Sequence, residues 1–358
     1  MASRTARRSA TPPASLAAVG ERVVTRVDDL LAAEQERWSG VDPDLEHPIS
    51  SLRALIAAGG KRLRPAFCHW AFVGAGGDAD NPVVVDGGSA LELLHTFALV
   101  HDDIMDGSER RRGMASVHTA FIEEHVVGRW RGEPRRFGEG AAVLVGDLAF
   151  VYADLLLHSA SPAARKVFDE LRIELCVGQY LDLVGTVRGD RDIVRARRIE
   201  RYKSGKYTVE RPLHFGAALA DRLDDLAPAL SAVGLPLGDA FQLRDDILGV
   251  FGDAAATGKP VGDDLREGKL TPLLAAGVEL VGGRSPDPFA RVGAADLTET
   301  EVHELQAVFV ECGALDVVEQ QIAARVEEAL DALRELPVTR EAREALADLA
   351  VYVAWRSN

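Results

Sequence analysis

The sequence predicts an all-α fold in a single domain, and three observations carry that reading. Apolar residues recur at three- and four-residue spacing along much of the 358-residue chain, the period of a helix packed on one face. Helix starts are well signalled: Asn81-Pro82 and Ser161-Pro162 put a capping residue before a first-turn proline, and Thr298 with Glu301 spells a capping box. No run of strands and no solenoid-length repeat is evident. With 47% hydrophobic residues the chain can bury a sizeable core, so a helical bundle with its site in the core between facing helices is expected.

The elements follow in order. Residues 1–14 read as a flexible tail and residues 15–358 as the domain. Val23, Val24, Val27, Leu30 and Leu31 mark a helix over 17–37, which Asp42-Pro43 ends. A helix over 48–58 runs into Gly59-Gly60, a turn that sets down Lys61, Arg62 and Arg64. Another starts near Pro65 and stops at the glycine-rich GAGGDADN loop. Asn81 then opens a long helix through His101. Helices are expected at 116–127, 141–158, 161–183, 192–202, 228–250 and 270–281, and from Thr298 through about Val353. GRWRGEPRRFGEG at 128–140 reads as a basic surface loop, and 141–158 as a buried helix.

Composition excludes some functions. A net charge of −15 argues against nonspecific nucleic-acid binding. The three cysteines, Cys68, Cys176 and Cys312, form no CxxC pair and suit a reducing cytoplasm better than a disulfide framework. The longest apolar stretch read here, 141–157, carries Asp147 and Asp154, so a buried helix is expected and not a membrane span. The basic N-terminus is followed by no apolar signal core.

The chemistry concentrates in two acidic stretches. ELLHTFALVHDDIMDGSERRRG at 92–113 is apolar until His101, then presents Asp102, Asp103 and Asp106. On a helix, residues four apart are neighbours, about 6 Å along the axis. Three such carboxylates repel unless a cation lies among them, and Mg²⁺ favours sites shared between a few carboxylates and substrate phosphates. Arg110, Arg111 and Arg112 suit phosphate oxygens. Taken alone, the pattern also reads as a solvated acidic helix end. GDAFQLRDDILGVFGD at 238–253 repeats it, with Asp245, Asp246 and Gln242, followed by Lys259 and Lys269. Two such helices suggest two walls of one cavity around a diphosphate.

Six motifs, GGKRLRP (59–65), ELLHTFALVHDDIMD (92–106), RRG (111–113), GQYLDL (178–183), KSGKYTVERPL (203–213) and FQLRDDILG with GKPVGDDLREGK (241–269), appear in one order. In this the chain resembles the trans-isoprenyl diphosphate synthases of the polyprenyl synthetase family, over roughly residues 45–280. The resemblance implies an isoprenoid-synthase helical bundle with a central active-site cavity. It implies a Mg²⁺-dependent prenyltransferase that joins isopentenyl diphosphate to an allylic diphosphate. It also implies three magnesium ions bound with the diphosphate, and a homodimer. Asp102, Asp103, Asp106, Asp245 and Asp246 would be metal ligands. Lys61, Arg64, His95 and Arg112 would bind isopentenyl diphosphate. Arg111, Lys203, Gln242 and Lys259 would bind the allylic diphosphate, with Lys203 preferred over Lys206 and Lys269 held less firmly. Asp147, Gln179 and Asp182 are further polar candidates. Gly249 stands where the family often has a third aspartate. Phe97 and Ala98, five and four residues before Asp102, would set product length, and an aromatic at the fifth position implies geranylgeranyl diphosphate. A farnesyl or longer-chain synthase, a terpene cyclase and a non-catalytic subunit are the alternatives. The full basic set at GGKRLRP, His95 and RRG weighs against the last two.

Overall fold

The computed structural model describes residues 11–188, 193–252, 261–283, 286–294 and 296–356, and their regular structure is almost wholly helical. The one sheet among them is a two-stranded hairpin, β1 (Arg110–Arg111) against β2 (Met114–Ala115). Lys259 lies outside the described residues. The chain divides into two compact units, Ala14–Lys166 with Phe215–Leu223, and Val167–His214 with Asp224–Asn358.

The first unit holds α1 (Ala14–Ser39), α2 (Glu46–Ala57), α3 (Leu63–Gly74), α4 (Pro82–Asp106), the hairpin, α5 (Val117–Gly128) and α6 (Pro134–Leu156). α4 is its axis, and α1, α3 and α6 pack on it. Asn81 caps it by accepting from the Val83 amide at 3.0 Å, and Pro82 occupies the first turn. Gly107 ends it in the left-handed region at φ 66°. Burial on nearly every side explains its apolar sequence, from Val84 through Val100. By length and composition alone it is the one described helix that could cross a membrane, where none was expected from the sequence, and it is largely buried in the fold.

Two expectations change here. The basic loop is short, because α6 begins at Pro134; its first turns are polar and exposed, Arg135 pairing with Glu139 at 2.6 Å, so the apolar period starts late. α6 is also two-faced. Ala142, Val145, Ala149 and Ala153 are buried, while Val143, Leu144, Val151 and Leu155 are exposed.

α7 (Pro162–Arg188) crosses into the second unit, followed by α8 (Ile193–Glu200). Residues Arg201–Glu210 form a π-helix, and α9 (Arg211–Leu219) continues from it. α10 (Leu223–Phe251) carries the second acidic stretch, and the short α11 (Asp263–Glu267) follows. Then come α12 (Pro272–Val281), α13 (Glu299–Glu311), α14 (Ala314–Glu335) and α15 (Arg340–Trp355). The capping box at Thr298 forms as spelled, its hydroxyl accepting from the Glu301 amide while the Glu301 carboxylate accepts from the Thr298 amide at 2.8 Å.

Candidate active site

In the first unit the end of α4 presents the three aspartates in graded exposure. Asp106 is exposed, the Asp102 side chain is 23% exposed and Asp103 is buried. The buried carboxylate is paired: Arg111 donates from Nε to Asp103 Oδ1 at 2.8 Å and from Nη2 to the same oxygen. Burial raises the Asp103 pKa, opposed by Arg111. Arg111 also lies 3.9 Å from Asp102. The arginine expected at substrate phosphate thus holds the acidic wall.

Arg111 is delivered by the hairpin. Its two-residue turn is Arg112-Gly113, both left-handed at φ 52° and 78°, as a type I′ turn requires. This conformation is costly for an arginine and natural for the glycine of the RRG motif. Arg112 donates from Nη1 to the Leu55 carbonyl at 2.8 Å. A second loop meets it: a side chain at Gly60 would collide with the guanidinium groups of Arg62 and Arg112. Glycine here lets the two arginines pack over backbone.

Beneath this loop lies an ion pair that sequence reasoning missed. Arg62, itself left-handed at φ 52°, donates to Glu92 Oε1 at 2.5 Å, to the Ile56 carbonyl at 2.6 Å and to the Gly59 carbonyl at 3.2 Å. Both side chains are under 10% exposed. A carboxylate inside an otherwise apolar buried helix was the available signal, since unpaired buried charge is rare. His95, one turn further along α4, is held neutral: burial drives its pKa well below the ordinary value, and Arg64, Arg112, Arg62 and Arg111 add to the effect. Burial also lowers the Arg112 pKa, to about 10, helped by neighbouring arginines. The structure therefore gathers His95, Arg64 and Arg112 with Arg62 and Glu92, and Lys61 sits in the same loop.

Phe97 rests one turn before His101 with ring centroids 4.6 Å apart, and packs on Phe150 of α6 at 4.9 Å. His101 donates toward the Val143 carbonyl at 3.1 Å and lies 3.8 Å from Asp147, which is thus placed near the α4–α6 seam. Gly146 makes room for the His101 ring.

In the second unit, α10 buries Asp246 fully and leaves the Asp245 side chain 38% exposed. Gln242 donates to Asp246 Oδ1 at 2.9 Å, so the amide expected at diphosphate faces its own acidic pair. Burial pushes the Asp246 carboxyl up to about 7, with Lys269 opposing and Asp264 adding to the rise. Asp245 is gripped by Arg356, which is buried at the end of α15, stacks 4.4 Å over the Phe241 ring and also donates to the Val353 carbonyl. Arg244 reinforces the join, donating to the Ala354 carbonyl and to both Glu319 oxygens at 2.9 and 2.6 Å.

The KSG segment lies in the π-helix, whose wide turn needs close neighbours. Two glycines provide them. A Cβ at Gly178 would fall 2.7 Å from the Lys203 nitrogen, and one at Gly238 would fall 2.7 Å from the Gly205 oxygen. Lys203 donates to Asp182 at 2.6 Å, in a pair about a quarter exposed. Lys206 is committed elsewhere, to Glu174, which Arg211 also grips through both oxygens at 2.7 and 2.6 Å. Gln179 lies half-buried on α7 between them in sequence.

Both acidic clusters offer hard oxygen donors, which fit Mg²⁺. Among the described residues no three His, Cys, Asp or Glu side chains close into a cage. That suits a cation completed by substrate phosphate and water, with Asp102, Asp106 and Asp245 the accessible carboxylates.

The comparisons bear on the family of the chain. The polyprenyl synthetase family model matches residues 47–285. The chain is 33% identical over 312 residues to a geranylfarnesyl diphosphate synthase of Aeropyrum pernix, covering 84% of this chain and 92% of the relative. It is 33% identical over 330 residues to a geranylgeranyl diphosphate synthase of Methanosarcina mazei, covering 88% and 94%. The crystal structure of a geranylgeranyl pyrophosphate synthase from Corynebacterium glutamicum, complexed with isoprenyl diphosphate and magnesium, superposes with a TM-score of 0.88 at 34% identity, over 95% of this chain and 99% of that one. The chain belongs to the polyprenyl synthetase family and is a trans-isoprenyl diphosphate synthase, a prenyltransferase.

Proposed function

We propose that this chain condenses isopentenyl diphosphate with an allylic diphosphate to give geranylgeranyl diphosphate, with three Mg²⁺ ions bound alongside the diphosphate. The observation that carries the reading is the cluster of Arg64 and Arg112 around His95, which we read as a second diphosphate site beside Lys61. An enzyme that only ionises an allylic diphosphate needs no such second site.

The roles follow from charge. Asp102, Asp103, Asp106, Asp245 and Asp246 would hold the metal, directly or through water. Magnesium, when bound, neutralises negative charge that builds on the departing diphosphate. Arg111, Lys203 and Lys259 add fixed positive charge there, and Gln242 orients Asp246. Both lysines are ion-paired, and Lys203 is better suited because its pair with Asp182 is the more exposed, whereas Lys206 is buried deeper in the Glu174 network. Lys61, Arg64, His95 and Arg112 hold the second substrate so that its double bond faces the allylic carbon, which supplies effective concentration. His95 is buried among arginines, which makes it a weak base, so it orients the substrate and the released diphosphate takes the proton. The apolar wall around Phe97 excludes water.

The functional form in this reading is a homodimer in the cytoplasm. Val143, Leu144, Val151 and Leu155 line one exposed face of α6, larger than scattered apolar residues explain. Sedimentation of the native chain tests this: a monomer at micromolar concentration removes the dimer from the proposal. The activity is tested by incubating the protein with Mg²⁺, farnesyl diphosphate and labelled isopentenyl diphosphate. Label in a twenty-carbon prenyl diphosphate is expected; an unlabelled cyclic hydrocarbon, or no product, overturns it.

A further inference from the structure

The π-helical segment Arg201–Glu210 needs anchoring from outside. Wide turns of this kind occur mostly singly, inside ordinary helices and often at functional sites. Three glycines let its backbone approach its neighbours. Gly178 of α7 admits Lys203, Gly238 of α10 admits Gly205, and a β-carbon at Gly234 of α10 would fall 2.8 Å from the Glu210 α-carbon. A missing side chain permits close approach, but it does not stop a segment from sliding or turning. That hold comes from charge on α7.

Glu174 lies one helical turn before Gly178, on the same side of α7. Its carboxylate takes three donors. Arg211 grips it as a fork, from Nε to Oε2 at 2.7 Å and from Nη2 to Oε1 at 2.6 Å, and Lys206 donates to Oε1 as well. Charge-assisted, two-pronged bonds of this kind are both strong and directional. Burial raises the Glu174 pKa, but the bonds from Arg211 and Lys206 outweigh it and leave the carboxyl below its ordinary value. Lys206 also lies 3.8 Å from Glu210, one turn on, and Glu210 accepts from the Ser231 hydroxyl of α10 at 2.7 Å. The charges of Glu174 and Glu210 thus balance those of Lys206 and Arg211. Asp182, the partner of Lys203, comes one further turn after Gly178. Glu174, Gly178 and Asp182 therefore form one strip of α7 at four-residue spacing, and each member meets the segment or the arginine that follows it.

We infer that Glu174 is a positioning residue for the condensation: by gripping Lys206 and Arg211 it fixes the π-helical segment against α7, and so fixes where Lys203 presents its ammonium group. The inference rests on the proposed function for the part Lys203 plays at the allylic diphosphate. Glu174 acts through Lys203 and not on substrate. The arrangement gives two lysines three residues apart different work. Lys206 is the anchor, and Lys203 stays in the more exposed pair.

Glu174→Gln keeps the side-chain shape and removes the charge. Hydrogen–deuterium exchange over 201–206 should quicken about tenfold or more in this variant, with the first turns of α7 unchanged. In condensation assays KM for the allylic diphosphate should rise about tenfold and kcat should fall, while KM for isopentenyl diphosphate stays within about twofold. Glu174→Gln with Lys203→Ala should be no slower than Lys203→Ala alone, because both act through one ammonium group. A residue that only stabilised the fold would lower the melting temperature and leave these kinetic constants native well below it. Should Glu174→Gln fail to fold, Glu174→Gln with Lys206→Met restores the balance of charge and still breaks the tie, so the same losses are expected. Unchanged exchange over 201–206, equal rises in KM for both substrates, or losses that add to those of Lys203→Ala overturn the inference. Absence of product from the native protein, or a native allylic KM in Lys203→Ala, overturns the proposed function instead. Quickened exchange in Glu174→Gln then leaves the tie to α7 standing.

Discussion

Glu92 shows how much rests on one side chain. It is the counter-charge of a buried arginine whose other bonds go to the carbonyls of Ile56 and Gly59. Breaking a buried pair by removing one partner costs about 3–5 kcal/mol, because a bare charge stays behind. Glu92→Gln should therefore lower the melting temperature clearly and raise KM for isopentenyl diphosphate more than for the allylic substrate. Removing both charges, Glu92→Gln with Arg62→Gln, should recover part of the stability. A double variant less stable than the single one by the full additive amount would show that the two do not act as a pair. The aspartates differ in the same terms. Asp102 is accessible and Asp245 is partly held by Arg356, so Asp102→Ala should lower kcat about a hundredfold or more at saturating Mg²⁺ and Asp245→Ala somewhat less. Near-native turnover in Asp102→Ala would remove it from the metal wall.

At the scale of elements, the π-helical segment Arg201–Glu210 brings the Lys203 backbone close against Gly178, while the Lys203 side chain pairs with Asp182. Gly178 on α7 and Gly238 on α10 give it that room. Their absent side chains were legible in the sequence as parts of motifs, but their reason was not, since each serves a partner more than twenty residues away. Gly178→Ala should push the segment off α7, destabilise the fold by about 1–3 kcal/mol as overpacking does, and lower turnover through Lys203. Thermal melting and kinetics of the one variant check both parts. Unchanged kinetics would mean that Lys203 is placed by its bond to Asp182 alone. Helix starts were read more reliably than helix extents. Asn81, Thr298 and Pro134 act within a few residues, whereas the exposed opening turns of α6 lacked the apolar period that would have marked them.

For the whole molecule, the proposed function makes product length a question of volume behind the acidic wall. Phe97 is braced by His101 on its own helix and by Phe150 on α6, so a floor formed there would be a stack and not one ring. Phe97→Ala should admit at least one further five-carbon unit, and Ala98→Phe should shift product toward the fifteen-carbon chain. Chromatography of dephosphorylated products reads the outcome. An unchanged spectrum in Phe97→Ala would assign the floor to Phe150 or another α6 side chain.

The sequence by itself determined the all-α class, most helices, the polyprenyl synthetase family and the two acidic stretches. These are local signals: a 3.6-residue period, caps a few residues from their targets, and aspartates one turn apart. It also marked Gly249 as a departure from the pattern. Only the tertiary structure decided what those residues meet. Glu92 pairs with a residue 30 positions away, and Arg356 reaches Asp245 across 111. Gly249 leaves its space to Asp264. A helix's period says which side of it faces inward. Which distant side chain shares that interior follows from how the helices pack, because burial forces each charge to find whatever partner the packed chain places beside it.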